Sequence, residues 1–301
     1  MKATIITLSI SLITLSSCQK QNHTIGNSIE NTLETKSNKD QVSNLKKEYN
    51  LKPDGTSYTD AELDAISHTE LMMMIHEPPR DTIQTVGILL YDGYFSLDAM
   101  GPLSVLSHMS PTKTILVGRK KGIIASSSNV KTQVDYSIED IDQLDILIIP
   151  GGFVETYKAT QDKELLAWVQ KIDKKSKYTV SVCTGAWILG AAGLLNGKEA
   201  TTHWYKAKEK LANYGAKYVN KRYTNDGKYW TSAGVSAGID MSLALIDHIL
   251  GRNYAAFTAL DIEYDPEPPF QGGNPNKTDR VVTYMLEKMY DLGLEPYLNK
   301  N

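Results

Sequence analysis

Between residues 144 and 150 the chain reads LDILIIP, an almost unbroken apolar run. Such a run has no polar face to offer water, so it is predicted as a central strand of a parallel sheet covered on both sides. A sheet of that kind needs helices above and below it, and the sequence supplies them. TVGILLY (85–91), TKTILVGR (112–119) and YTVSV (178–182) read as further strands. SLDAMGPLSVLSHM (96–109), DKELLAWVQKIDKKS (162–176) and TGAWILGAAGLL (184–195) read as helices between or after them. Strands alternating with helices predict the α/β class: a three-layer sandwich with a mostly parallel central sheet. Asp226-Gly227, between two strand-like runs in 216–233, signals a hairpin. Helices are expected at 238–251, 253–264 and near 277–290, the last after the Pro-rich EYDPEPPFQGGNP. There is no internal repeat and no sign of a second domain.

The first 80 residues have another texture. MKATIITLSISLITLSSC opens with Lys2 and a modest apolar stretch, too short for a membrane span and suited to an export signal. Its end, Leu15-Ser16-Ser17-Cys18, resembles a bacterial lipobox, which would make Cys18 the lipidated first residue of the mature protein. Several acyl chains anchor stably, at roughly 0.8 kcal/mol per buried CH₂. Gln19 stands where an inner-membrane retention signal would need Asp. The expected location is therefore the bacterial cell envelope, lipid-anchored in the periplasm or at the outer membrane. A simple cleaved signal with a chance cysteine explains the same residues. Residues 19–58 are polar and read as a flexible tether. A short helix capped by Thr59 or Asp60 is expected over 59–76, with Met72–Met74 packing on the main domain or capping a pocket. The expected organisation is 1–18 signal, 19–80 tether with a short helix, and 81–301 domain. A net charge of −3 leaves no basic footprint for nucleic acid.

The chain has two cysteines, and if Cys18 carries lipid then Cys183 has no partner. An unpaired cysteine in an exported protein is either a reactive thiol or simply buried. Ser181-Val182-Cys183-Thr184-Gly185 places it where a strand becomes a helix, with small residues on both sides. That is the layout of a nucleophile elbow. The unpartnered amides of a helix start favour an anion, so the thiol is expected to have a lowered pKa. Three other positions have a chemical reading beside a structural one. Gly151 and Gly152 follow the strongest strand, as oxyanion-binding amides or as a tight turn. Asp98 sits among Leu97, Ala99 and Met100, as an acid held protonated or as a helix cap. His203, in Thr201-Thr202-His203-Trp204, either reaches the cysteine or is packed beside Trp204. Neither a glycine-rich dinucleotide fingerprint nor a compact metal-ligand spacing occurs, so no cofactor and no metal are expected.

Five stretches carry a specific resemblance: LDAMGP (97–102), IIPGG (148–152), SVCTGAWILGAAGLLNGKEATTHW (181–204), GVSAGIDM (234–241) and EYDPEPPFQGGNP (263–275). From about Thr85 to Gly293 the chain resembles the ThiJ/PfpI superfamily, with its class I glutamine amidotransferase-like, flavodoxin-like fold. It is most similar to the isonitrile hydratase branch, whose members hydrate isonitriles to N-substituted formamides. The resemblance implies that Cys183 is the nucleophile, Asp98 the essential acid and Thr184 its functional neighbour, with Gly151 and Gly152 as the glycine pair beside them. It implies a small-molecule substrate, no cofactor and a homodimer. Thr184 stands where peptidase-like members have histidine, which argues against proteolysis. The expected reaction is attack of Cys183 on the terminal isonitrile carbon, protonation by Asp98, and hydrolysis of the resulting thioimidate. Two alternatives remain at this point: a periplasmic binding or stress-response module that does not turn over, and glyoxalase- or amidase-like cysteine chemistry on a carbonyl.

Overall fold

The computed structural model describes Lys52 and residues 56–298. Cys18, the export signal and most of the tether lie outside the described residues. Two compact units divide the chain, one ending at Ser67 and the other running from His68 onward. In the first, helix α1 (Asp60–Asp64) starts with a reciprocal capping box: Thr59 accepts from the Glu62 amide, and the Glu62 carboxylate accepts from the Thr59 amide. The single helix expected over 59–76 is thus two, and the second, α2 (His68–Ile75), belongs to the larger unit. There its neighbourhood packs against the helix at 252–261, with the His76 ring 4.8 Å from that of Tyr254. The compact unit therefore begins some 13 residues before the expected boundary at 81.

The larger unit follows the alternation read from the sequence. Strand β1 (Thr85–Leu90) leads into α3 (Ser96–Leu106) and back to β2 (Lys113–Gly118). A small hairpin, β3 (Gly122–Ala125) with β4 (Lys131–Val134), precedes the short β5 (Tyr136–Ser137) and β6 (Ile146–Ile149). Helices α4 (Val154–Ala159) and α5 (Lys163–Asp173) lead to β7 (Tyr178–Val182) and α6 (Gly185–Ala191). After β8 (Glu199–Ala200), α7 (Ala207–Ala212) and β9 (Lys217–Tyr218), the hairpin around Gly227 is β10 (Tyr223–Asp226) and β11 (Tyr229–Ser232). Helices α8 (Val235–Leu250), α9 (Arg252–Asp261) and α10 (Arg280–Leu298) finish the described chain.

Seven strands form the main sheet in the order β10-β11-β7-β6-β1-β2-β5. All neighbours are parallel except the edge pair β10–β11. Every residue of β6 and β7 is buried, as two covered faces require. Helix α5 shows why the layers hold. Leu165, Trp168, Val169 and Ile172 recur at helical spacing and are all buried, while Asp162 caps the first turn by accepting from the Glu164 and Leu165 amides. Each such buried side chain contributes about 1.5–3 kcal/mol relative to exposure. From β1 the chain first grows one way, to β2 and β5, then crosses to β6, β7 and β11 on the other side. This reversal opens a crevice at the carboxyl ends of β1 and β6, where parallel α/β sheets place their ligands.

Candidate active site

Asp98, Gly151, Gly152, Cys183 and Thr184 all follow carboxyl ends of strands flanking that crevice. Cys183 comes directly after β7 and has φ +58°, a left-handed backbone that a non-glycine residue adopts only under constraint. The constraint is visible on both sides of its backbone. Its amide donates to the Ser232 carbonyl at 3.0 Å, and its carbonyl accepts from the Thr202 hydroxyl at 2.8 Å. Gly185 lets α6 start at contact distance from β6, because a Cβ there would collide with the Ile149 carbonyl. The sharp strand-to-helix turn expected at this point is present.

The thiol itself differs from expectation. Burial pushes the Cys183 pKa well above the usual thiol value, and the nearby Asp98 carboxyl pushes it further up. The expected lowering weighed only the helix start. A helix terminus is worth up to about 2 kcal/mol, or roughly 1.5 pKa units, whereas full burial costs up to 3–5 units. Helix α6 is also only seven residues long. At rest Cys183 is therefore a neutral thiol.

Asp98, in the first turn of α3, is fully buried. Its Oδ2 accepts from the Gly151 amide at 3.0 Å, and its Oδ1 is buried with no hydrogen-bond partner. Burial raises its pKa to about 7, with the Gly151 amide and a weak contact from the Cys183 thiol pulling it partway back. Near neutral pH a large share of the molecules hold Asp98 as a carboxylic acid. With Oδ2 occupied as an acceptor, that proton rests on the unpartnered Oδ1. Asp98 makes no helix cap: Phe95 holds the cap position and its side chain makes no capping bond.

Of the glycine pair, both amides are engaged within the protein. The Gly151 amide is held by Asp98, and the Gly152 amide by Thr184 Oγ1 at 3.1 Å. Neither is free to bind an oxyanion in this arrangement. Gly151 is instead required for space, since a Cβ there would lie 2.7 Å from Thr184 Oγ1 and 2.8 Å from Asp98 Oδ2. Thr184 is equally committed. Its oxygen accepts from the Gly152 and Phe153 amides and pairs with Thr156 Oγ1 at 2.9 Å. Thr156 in turn meets the Tyr91 hydroxyl, which donates to the Pro150 carbonyl at 2.8 Å. Because a carbonyl only accepts, the proton direction of the chain is fixed: Thr184 to Thr156 to Tyr91 to Pro150. Thr184 therefore fastens the loop after β6 to the elbow and has no hydrogen left for a ligand.

His203 does not pair with the cysteine. Burial lowers its pKa to about 4, so the ring is neutral near neutral pH. Its Nδ1 accepts from the Tyr205 amide at 3.4 Å, leaving the proton on Nε2. The ring packs against Trp204 and Tyr290, with centroids 5.4 Å from each. Tyr290 on α10 has a pKa raised by burial and then by Cys183. Tyr91, Thr156 and Tyr290 were not singled out by sequence; only Tyr91, the polar end of an otherwise apolar strand, left any local sign. Two surface clefts share Trp204 in their walls. One, of about 560 Å³, includes Lys206, Lys208 and Tyr218, and the other, of about 170 Å³, includes Pro275, Thr283 and Leu286. Neither is lined by Cys183 or Asp98. Among the described residues, no group of three His, Cys, Asp or Glu is placed to hold a metal ion, and no helix is long and apolar enough to cross a membrane.

A parallel α/β sandwich with a strained cysteine at a strand–helix junction, facing a buried acid, defines a flavodoxin-like domain built around a nucleophile elbow. Within that class the chain belongs to the DJ-1/PfpI family, whose model matches residues 84–248. It is 35% identical over 197 residues to the isonitrile hydratase of Pseudomonas putida, covering 65% of this chain and 86% of that one. It is 28% identical to the HTH-type transcriptional regulator CdhR of Pseudomonas aeruginosa, covering 53% of this chain but only 48% of the regulator. A crystal structure of a ThiJ/PfpI family protein from Pseudomonas syringae superposes with a TM-score of 0.68 at 30% identity, over 71% of this chain and 88% of that one. The family and the likeness to the hydratase support an enzyme of this superfamily.

Proposed function

We propose that the protein is a cysteine-dependent enzyme that hydrates isonitriles to N-substituted formamides. The observation that carries this reading is the pairing of a neutral thiol with a half-protonated buried acid whose free oxygen has no partner. An isonitrile carbon must receive both a nucleophile and a proton, and this pair holds both. Asp98 gives its Oδ1 proton to the terminal carbon as Cys183 Sγ bonds to it. The thiol proton passes to the Asp98 carboxylate, which is thereby restored to the acid. The product is a thioimidate, R–N=CH–S–Cys183. Water then adds across the C=N bond, giving R–NH–CH(OH)–S–Cys183. The C–S bond breaks, the hydroxyl proton returns to sulfur by way of Asp98, and R–NH–CHO leaves. The sum is one isonitrile plus one water to one formamide. The likeness to the Pseudomonas putida isonitrile hydratase supports the same substrate class.

Incubation with p-nitrophenyl isonitrile tests this directly. Formamide is expected from the wild type and background levels from Cys183→Ala, a loss of roughly 10³-fold or more. Wild-type turnover by Cys183→Ala ends the mechanism. Lactate from methylglyoxal with no turnover of isonitriles would instead favour carbonyl chemistry. Unchanged binding of the isonitrile would favour a ligand-binding module. For the N-terminus the proposal is lipidation at Cys18, on the strength of Leu15-Ser16-Ser17-Cys18. Labelled palmitate should enter the expressed full-length protein and be lost in Cys18→Ser.

A further inference from the structure

The loop after β6 begins Pro150-Gly151-Gly152, and all three residues are buried. Pro150 has no amide of its own, so the peptide it shares with Gly151 supplies the first N–H of the loop. That peptide is trans, and its C=O and N–H therefore point opposite ways. Buried away from water, each needs a partner within the protein. The oxygen accepts from the Tyr91 hydroxyl at 2.8 Å, and the N–H donates to Asp98 Oδ2 at 3.0 Å. Tyr91 and Asp98 thus grip the two ends of one peptide group. The next peptide closes the arrangement: the Gly151 carbonyl accepts at 2.8 Å from the amide of Phe95, the residue before the helix that bears Asp98. The Tyr91 ring lies against Gly152, where a Cβ would come within 3.1 Å of its Cε2. Its hydroxyl accepts from Thr156 at 2.9 Å, which leaves its own hydrogen for Pro150. Burial keeps that phenol neutral, with a pKa well above the usual value.

We infer that Tyr91 is a positioning residue for the acid: its hydroxyl orients and polarises the Pro150–Gly151 peptide, so that the N–H stays on Asp98 Oδ2 and the acid's proton stays on Oδ1, the oxygen with no other partner. The hydrogen bonds run in one line, from Thr156 to Tyr91 to the peptide to Asp98, and each strengthens the next. Stronger donation to Oδ2 favours the carboxylate, so the phenol holds the acid's pKa down against burial. Tyr91 touches none of the reacting bonds. The orientation of the peptide holds for any substrate, whereas its effect on turnover rests on the hydration proposed above. The groups on neighbouring elements that carry charge or titrate are otherwise engaged or neutral. The Cys183 thiol is neutral at rest. On α8, which packs on α3, Asp240 is taken by Arg222 and Tyr264, and on α4 Glu155 pairs with Lys158.

The test follows the Asp98 carboxyl by NMR in protein isotopically labelled at its aspartate carboxyl carbons, the signal being assigned by its absence from Asp98→Asn. In Tyr91→Phe the Asp98 midpoint should rise by about half a pH unit or more, because one link of a cooperative chain is gone. A fluorinated tyrosine installed in place of Tyr91 has a more acidic hydroxyl and nearly the same shape. It is the stronger donor and should lower the midpoint by about 0.2 pH unit. Turnover of an isonitrile needs the protonated acid, so its fall at high pH should move with the midpoint in both proteins. A phenol that merely filled space would leave another signature: its loss would let water in and bring the midpoint down, toward the ordinary carboxyl value. A midpoint unchanged or lowered in Tyr91→Phe therefore overturns the inference. If Tyr91→Phe does not fold, the fluorinated protein decides, and an unmoved midpoint there overturns it. If no isonitrile is turned over, the hydration reading fails, and the NMR titration still decides the role of Tyr91.

Discussion

The two ends of the central sheet treat buried carboxylates in opposite ways. At the amino ends of the strands, Asp145 accepts from the Gln84 and Thr85 amides and faces the Lys177 ammonium at 3.7 Å. Asp173, on the same side, accepts from the Thr179 and Tyr229 hydroxyls and pairs with Lys228 at 3.1 Å. At the carboxyl ends Asp98 has one amide, a weak thiol contact and an oxygen with no partner. All three are buried residues, so burial alone does not distinguish them. What differs is how many donors meet each carboxylate, and burial raises the pKa of the under-supplied Asp98 to about 7. One end spends its polar groups on holding strands together; the other leaves an acid with a proton to give.

Asp98→Asn should break this contrast most sharply. Turnover should fall by roughly 10²–10⁴, the usual worth of general acid help. The same change should improve relative stability at high pH. With a native pKa of about 7 against the ordinary carboxyl value of 3.8, the folded state binds the proton more tightly. Stability contributed by the protonated acid is present below about pH 4 and is lost as pH rises through about 7. Asparagine cannot ionise, so the difference in Tm between variant and wild type should shift in favour of the variant from pH 5 to pH 8.5. A pH-independent difference would show that Asp98 titrates normally.

Thr184→Val should come next. It strips two buried amides, those of Gly152 and Phe153, of their acceptor, at about 1–3 kcal/mol for each donor left unmet. Thermal melts should show the loss, and turnover should fall with it, because the same loop carries the amide that holds Asp98. If Thr184→Val kept full stability, the hydroxyl chain would not be the fastener described. The smallest effect is expected from Asp145→Ala. It should cost about 1–3 kcal/mol in denaturant unfolding by freeing the Gln84 and Thr85 amides. Its kcat on isonitriles should stay close to the wild type, and a large drop would mean that the two ends are coupled.

How far the sequence could be read follows from the range of each interaction. Strand runs such as YTVSV and the hairpin turn at Gly227 declare themselves within a few residues, and they sit where they were expected. The junction at Cys183 was visible for the same reason. The two readings of Gly151 and Gly152 stayed open in the sequence because their amides are claimed by Asp98 and Thr184, residues 53 and 32 positions away that only the strand order brings close. The Tyr91–Thr156–Thr184 chain has no local pattern at all. The thiol was expected to ionise because a helix start is a local feature, while the burial that overrides it is a property of the whole packed layer. Tyr290 arrives from more than 100 residues beyond the elbow, on a helix whose own periodicity says nothing about which neighbour it will cover.

That last arrangement has an evolutionary corollary. The elbow and its acid lie within residues 84–248, whereas the Tyr290 ring that packs on Phe153 and His203 hangs on a separate stretch at 280–298. The elbow and its surroundings can then diversify independently. A descendant could reshape those surroundings by redrafting its final helix, inheriting the elbow untouched, and chimeras exchanging that segment between relatives would be the laboratory version of the same experiment.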